Sequence, residues 1–205
     1  ILNFINIKKN IIKKVIGNPI KFRENNYINN SFQKDFILTS IGRLEKQKNH
    51  SFIIDAFNLA LKNNNNLYLQ IIGNGSLRNQ INDQIINLKL EDRIKIIPYT
   101  NDVYKILRNT DLYIMASLWE GFGNVIVEAL YMNCRVLSLN SPGGIAEILE
   151  HGKFGKILPM SSSKETYANY IIKEIKNKNK VYSRNKALEY DYLKITDRYI
   201  EHMNL

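Results

Sequence analysis

Asp111-Leu-Tyr-Ile-Met-Ala-Ser-Leu-Trp-Glu-Gly-Phe-Gly-Asn-Val-Ile-Val-Glu128 is the stretch on which the fold is decided. Asp111 to Ala116 reads as a buried strand, Gly121-Phe-Gly123 as a glycine turn, and the apolar residues after it as a helix. Strand, glycine turn, helix is how open α/β sheets present a helix N-terminus to an anionic ligand. Gly121 and Gly123 let the backbone approach that ligand closely, and the free N–H groups of the first helical turn point at it. The stretch also holds two carboxylates, Glu120 and Glu128. Their spacing puts Glu120 on the loop and Glu128 on the helix, facing different ends of a ligand.

Outward from this unit, the same alternation repeats. Phe36-Ile-Leu-Thr-Ser-Ile41 reads as a strand ending at Gly42, followed by a helix from about Asn49 to Lys62. Leu67-Tyr-Leu-Gln-Ile-Ile72 is a second strand, ending at Gly73-Asn-Gly75, and Ser76 can cap the helix after it. Arg93-Ile-Lys-Ile-Ile97, Arg135 to Leu139 and Lys156-Ile-Leu158 complete the strands; Asn101 or Asp102 can cap a short helix to Arg108. Pro142-Gly-Gly144 opens a short helix to Glu150, and two helical stretches, about Lys164–Lys176 and Val181–Tyr192, close the chain. The fold class expected is therefore α/β, a Rossmann-like open parallel sheet of about six strands with helices on both faces. Residues 1–34 lack a clean period and are expected to be a lead-in or linker, with residues 35–205 forming the domain. Ligands in such sheets bind beyond the carboxyl ends of the strands. Gly42-Arg43, Gly73-Asn-Gly75, Pro98-Tyr99, Glu120 to Gly123 and Pro142-Gly-Gly144 all follow strands and are expected on that edge.

The chain has 205 residues, 44% hydrophobic, enough for one sizeable domain. It begins at Ile1 rather than Met, so an excised piece of something longer is expected. No apolar run approaches the ~18 residues of a membrane-spanning helix. The single Cys134 excludes an intrachain disulfide framework and fits a reducing compartment; a buried structural thiol is the expectation there. The net charge of +10 suits nucleic acid, an anionic membrane surface or phosphorylated small molecules. The lysines are scattered, no aromatic and basic alternation of the RNA-recognition type occurs, and the richness in Asn, Ile and Lys resembles a genomic base-composition bias. Nucleic acid is accordingly not expected as a partner; some attraction to an anionic membrane face stays open. A cytoplasmic location is expected.

Gly42-Arg-Leu-Glu-Lys-Gln-Lys48-Asn-His50 supplies an arginine fork and a lysine point charge beside a helix start, a combination that holds a diphosphate. Alone, such a loop is most often a solvated basic turn. Acidic side chains beside phosphate are costly unless they bind hydroxyls, and a sugar and a ribose flanking a diphosphate satisfy both loops together. No Asp-x-Asp and no His/Cys cluster with metal spacing occurs, so no metal and no cofactor is expected.

The set Gly42-Arg-Leu…Lys48-Asn, Gly73-Asn-Gly75, Asp111-Leu-Tyr, Glu120-Gly-Phe-Gly…Glu128-Ala and Gly143-Gly…Glu147 resembles the nucleotide-sugar-binding, C-terminal half of family 4 GT-B glycosyltransferases over roughly Lys14 to Pro159. That resemblance implies a retaining sugar transfer from a nucleoside diphosphate sugar to a hydroxyl acceptor, in cell-surface polysaccharide or glycolipid synthesis. It implies catalytic roles for Arg43, Lys48 and Glu120. Arg43 and Lys48 would bind the diphosphate, and Glu120 the hydroxyls of the transferred sugar. Phe122, Gly123, Asn124 and Val125 would offer amides to phosphate and sugar, and Glu128 would accept from the ribose. The Ile97–Tyr99 loop would lie against the base; Gly42, Gly73 and Gly75 would let their loops pass close to the donor. The family often has Gly where Pro98 stands and Pro where Ala146 stands. Its amino-terminal, acceptor-binding domain has no counterpart here, so the chain alone is expected to be incomplete and inactive. His50, His151 and His202 do not replace that domain's histidine; His202 is read as lying in a tail. Trp119 is expected to pack its loop on the sheet, and Tyr104, Tyr113 and Tyr131 to be core. The rivals are a sugar-nucleotide epimerase or phosphorylase-like protein of this fold, and a non-catalytic basic module binding anionic membrane or nucleic acid.

Overall fold

The computed structural model describes residues 16–23, 35–177, 179 and 182–203. Six strands form one parallel sheet in the order β3-β2-β1-β4-β5-β6. They are β1 (Phe36–Ile41), β2 (Leu67–Ile72), β3 (Ile94–Ile97), β4 (Leu112–Met115), β5 (Arg135–Leu139) and β6 (Lys156–Leu158). The helices are α1 (His50–Leu61), α2 (Arg78–Asn87), α3 (Val103–Arg108), α4 (Asn124–Tyr131), α5 (Ile145–Ile148), α6 (Lys164–Lys176), α7 (Arg184–Ala187) and α8 (Tyr192–Met203). The expected open α/β sheet is thus the observed one. Its strands read as nearly continuous apolar runs because helices cover both faces.

Strand alternation sorts the core into two layers. Leu38, Leu69, Ile71, Leu112, Ile114 and Leu137 pack on the side of α1, α2 and α6. Ile41, Ile72, Tyr113, Met115 and Val136 face the other way, towards α3, α4 and α5. The chain reverses its direction of growth between β1 and β4: β1 leads outward to β2 and β3, and β4 outward to β5 and β6. The loops leaving β1 and β4 therefore diverge over adjacent strands and leave a crevice at that point. Asp111 secures the junction at the other end, accepting from the Ile37 N–H at 2.8 Å while its own N–H donates to the Ile37 carbonyl at 2.9 Å.

The structure departs from the sequence reading at several places. Asp102 caps α3 by accepting from the Lys105 N–H, as expected. Ser76 does not cap α2. Its hydroxyl and N–H both donate to the Glu45 carboxylate at 2.8 Å, and Leu77 takes the cap position. The single helix expected over 181–192 is instead α7, a 3-10 turn at Leu188–Tyr190 and the start of α8; Val181 lies outside the described residues. The break occurs where Ile20 takes the backbone: its N–H donates to the Tyr190 carbonyl at 2.9 Å, and its carbonyl accepts from the Tyr192 N–H at 3.0 Å. These groups cannot also continue a helix. His202 lies in α8 rather than in a tail. Within the expected lead-in, the described residues 16–23 lie on the domain; Ile20 is buried, and Phe22 stacks on Tyr131 with ring centroids 4.2 Å apart.

Candidate active site

The loops after β1 and β4 are stitched into one unit. The Leu118 N–H donates to the Gln47 carbonyl at 2.8 Å, and Gln47 Nε2 donates to the Trp119 carbonyl at 2.8 Å. At its centre Lys48 Nζ donates to Glu120 Oε1 at 2.5 Å, with the two side chains only 16% and 8% exposed. The Ser117 hydroxyl donates to the same carboxylate oxygen at 2.6 Å. Gly42 makes room for this lysine, because a methyl group there would stand 2.8 Å from Lys48 Cε. The cation and carboxylate that the sequence separates by some seventy positions therefore meet in the crevice.

The third support comes from the loop after β5. The Glu120 N–H donates to the Pro142 carbonyl at 2.9 Å, and the Ser141 hydroxyl donates to the Ser117 carbonyl. Gly143, at φ +133°, brings its Cα so close that a Cβ would lie 2.1 Å from the Glu120 carbonyl oxygen. No other residue fits that approach.

These groups frame a cavity of about 260 Å³. Lys48 and Glu120 form one wall, Phe122 to Ile126 at the start of α4 another, and Tyr113 and Met115 of β4 also line it. Gly123 opens α4 at φ +104°, and the amides of Asn124 and Val125 in the first turn have no acceptor within the helix. Asn18 also reaches this cavity and donates to Asn124 Oδ1 at 3.0 Å. Glu128, one turn further along α4, is not among the residues lining this cavity; it is largely buried, and loss of solvent pushes its carboxyl up to about 7.

The remaining residues singled out in the sequence lie outside the cavity wall. Arg43 is exposed on the rim, where Nη2 donates to Gln47 Oε1 at 3.0 Å. Gly73 and Gly75 serve the β1 loop: a Cβ on Gly73 would meet the Gly42 carbonyl oxygen at 2.0 Å, and one on Gly75 the Leu44 carbonyl oxygen at 2.4 Å. Ile97 ends β3 two strands from β1, where its carbonyl accepts from the Gly73 N–H, and Tyr99 is 67% exposed. Trp119 does not pack its loop on the sheet as expected. The loop is held by Gln47 and Pro142 instead, and the ring is 51% exposed. His50 is buried at the start of α1 beside Ser40, and burial pushes its imidazole down to about 4, so it stays neutral. Gln47, Ser117, Asn18 and the Tyr113 hydroxyl are site groups that sequence reasoning missed. They are common residue types with no spacing signal, and only their neighbours distinguish them. Among the described residues, no group of three His, Cys, Asp or Glu side chains could hold a metal ion, and no helix is long and apolar enough to cross a membrane.

Residues 21–191 match the family of glycosyl transferases group 1. The chain belongs to that family. Relatives within reach of sequence comparison include a glycosyltransferase of Methanocaldococcus jannaschii, 33% identical over 120 residues, 58% of this chain and 30% of that one. A second is the N-acetylgalactosamine-N,N'-diacetylbacillosaminyl-diphospho-undecaprenol 4-alpha-N-acetylgalactosaminyltransferase of Campylobacter jejuni, 31% identical over 134 residues, 65% of this chain and 36% of that one. The chain thus spans about a third of the length of these relatives. Among solved structures, a Staphylococcus aureus TarM mutant in complex with fondaparinux, alpha-GlcNAc-glycerol and UDP superposes with a TM-score of 0.85 over all of this chain and 41% of that one. At 23% identity this likeness is one of fold.

Proposed function

We propose that this group 1 domain is the donor-binding, C-terminal half of a retaining, family 4-like GT-B glycosyltransferase. The complete enzyme moves a sugar from a nucleoside diphosphate sugar to a hydroxyl acceptor in the synthesis of a cell-surface polysaccharide or glycolipid. The observation that carries the reading is the Lys48–Glu120 pair facing the first turn of α4 across one cavity. A cation and free helix amides receive the diphosphate, and the carboxylates receive hydroxyls on either side of it. Glu120 takes the transferred sugar and Glu128 the ribose. Lys48 carries three N–H donors, so it can hold Glu120 and a phosphate oxygen at once. As the glycosidic bond breaks, negative charge grows on the departing diphosphate, and Lys48, the rim guanidinium of Arg43 and the α4 N-terminus stabilise it. The acceptor is held by a second domain. This chain by itself binds donor and turns over little or nothing.

Isothermal titration with UDP, GDP and ADP tests the reading, with UDP first because the TarM neighbour is in complex with it. One of the three is expected to bind; a folded sample that binds none of them removes the proposal. Arg43→Ala is expected to weaken nucleotide diphosphate binding about tenfold and leave the melting temperature unchanged, since Arg43 is exposed and its guanidinium donates to the side chain of Gln47 at the surface. Unchanged affinity takes Arg43 out of the site.

Glu128 adds a pH dependence. Its folded-state pKa of about 7 lies above the ordinary 4.5, so the stability of the protonated carboxyl is present below about 4.5 and lost as pH rises through about 7. Ribose hydroxyls prefer the carboxylate, so binding runs the other way. UDP-glucose is the clean probe because its diphosphate does not titrate in this range. Its affinity is expected to rise about tenfold between pH ~6 and ~8, and Glu128→Gln is expected to flatten that rise and raise the melting temperature at the higher pH. A profile identical in wild type and Glu128→Gln excludes Glu128 as the titrating group.

A further inference from the structure

Tyr113 stands in the middle of β4 with its ring turned to the α4 side of the sheet, and none of the residue is exposed. It lines the same cavity as Lys48, Glu120 and the start of α4, yet its hydroxyl has no hydrogen-bond partner. A buried O–H without a partner costs free energy that an occupant of the cavity can return. Burial, and then the carboxylates of Glu120 and Glu128, hold this phenol protonated, so its O–H is available to donate. Neither carboxylate is bonded to it. Strand parity dictates the placement: Leu112 and Ile114 face α1 and α6, which leaves Tyr113 and Met115 to the side where α4 begins.

We propose that the Tyr113 hydroxyl is a ligand-binding donor, giving its O–H to an oxygen of the diphosphate. This rests on the nucleotide-sugar reading above. A nucleoside diphosphate sugar is ordered sugar, diphosphate, ribose. With Glu120 assigned to the sugar and Glu128 to the ribose, an unpartnered donor of β4 lining the cavity beside the start of α4 meets the piece between them. Asn124 and Val125, whose amides have no acceptor within the helix, line the same cavity and suit the same oxygens. Phenylalanine would fill the space equally well, so the hydroxyl marks a specific contact rather than packing.

Tyr113→Phe in this chain tests the assignment against UDP and uridine by titration. The expected result is a loss of about tenfold in UDP affinity with uridine affinity unchanged. Equal UDP affinity in the variant and wild type overturns the proposal. An equal loss for UDP and uridine overturns it too, because the hydroxyl would then serve the nucleoside. Should the variant melt earlier than wild type, the UDP-to-uridine ratio still decides, since a smaller folded fraction scales both affinities alike. Wild type that binds no nucleotide at all takes down the donor-site reading and this inference with it. Wild type that binds UDP with an unaffected Tyr113→Phe removes this inference alone.

Discussion

Lys48→Ala is expected to lower the stability of the domain by about 3 kcal/mol and to weaken UDP-glucose binding about a hundredfold. Removing the lysine leaves the Glu120 carboxylate, 8% exposed, with the Ser117 hydroxyl at 2.6 Å as its remaining donor. A buried charge stripped of its counter-ion is far costlier than a buried pair is stabilising. The two effects separate in the double variant Lys48→Ala/Glu120→Ala. With both charges gone, the stability measured by urea unfolding is expected to recover by more than half, while binding stays lost. If Lys48→Ala binds UDP-glucose like wild type, the crevice pair is a structural tie and the proposed chemistry has lost its main cation.

The second large effect falls on the layer beneath the site. Tyr167→Ala is expected to cost about 3–5 kcal/mol, and Tyr167→Phe about 1–3 kcal/mol, in urea unfolding. Tyr167 is fully buried on α6, its ring edge-on to Phe52 of α1 with centroids 5.5 Å apart. Its hydroxyl donates to the Met115 carbonyl at 3.1 Å and the Leu137 carbonyl at 3.0 Å. One side chain thus ties α6 to β4 and β5 close to where β4 runs into the Glu120 loop. Alanine opens a cavity and removes the tie; phenylalanine keeps the volume and removes only the donor. A Tyr167→Phe cost smaller than ~0.5 kcal/mol would mean that the hydroxyl contributes nothing net.

Much of this molecule was legible in the order of residue types. Apolar runs broken by Gly42, Gly73 and Gly123 announce strands ending in loops, and their alternation with helical periods leaves a parallel sheet as the consistent solution. The rule that ligands gather beyond strand ends then placed Lys48 and Glu120 on one edge, and the structure joins them. The break in the expected 181–192 helix was not legible, because it depends on Ile20, some 170 positions away, taking the backbone of Tyr190 and Tyr192. Ser76 misled for a similar reason: its local capping preference lost to the Glu45 carboxylate from the neighbouring loop. Arg43 follows β1, but the bond of its guanidinium to Gln47, outside the cavity lining, was not legible.

The sequence by itself determined the fold class and the sheet edge on which the polar loops gather, because periodicity, turn residues and helix starts are local properties. Only the tertiary structure decided which polar groups share a cavity, that Gly143 presses against the Glu120 carbonyl, that burial pushes the Glu128 carboxyl up and that the Tyr113 hydroxyl stands unpartnered. Those facts follow from desolvation and from contacts across strands distant in the chain, and no single residue carries them until the sheet has closed around it.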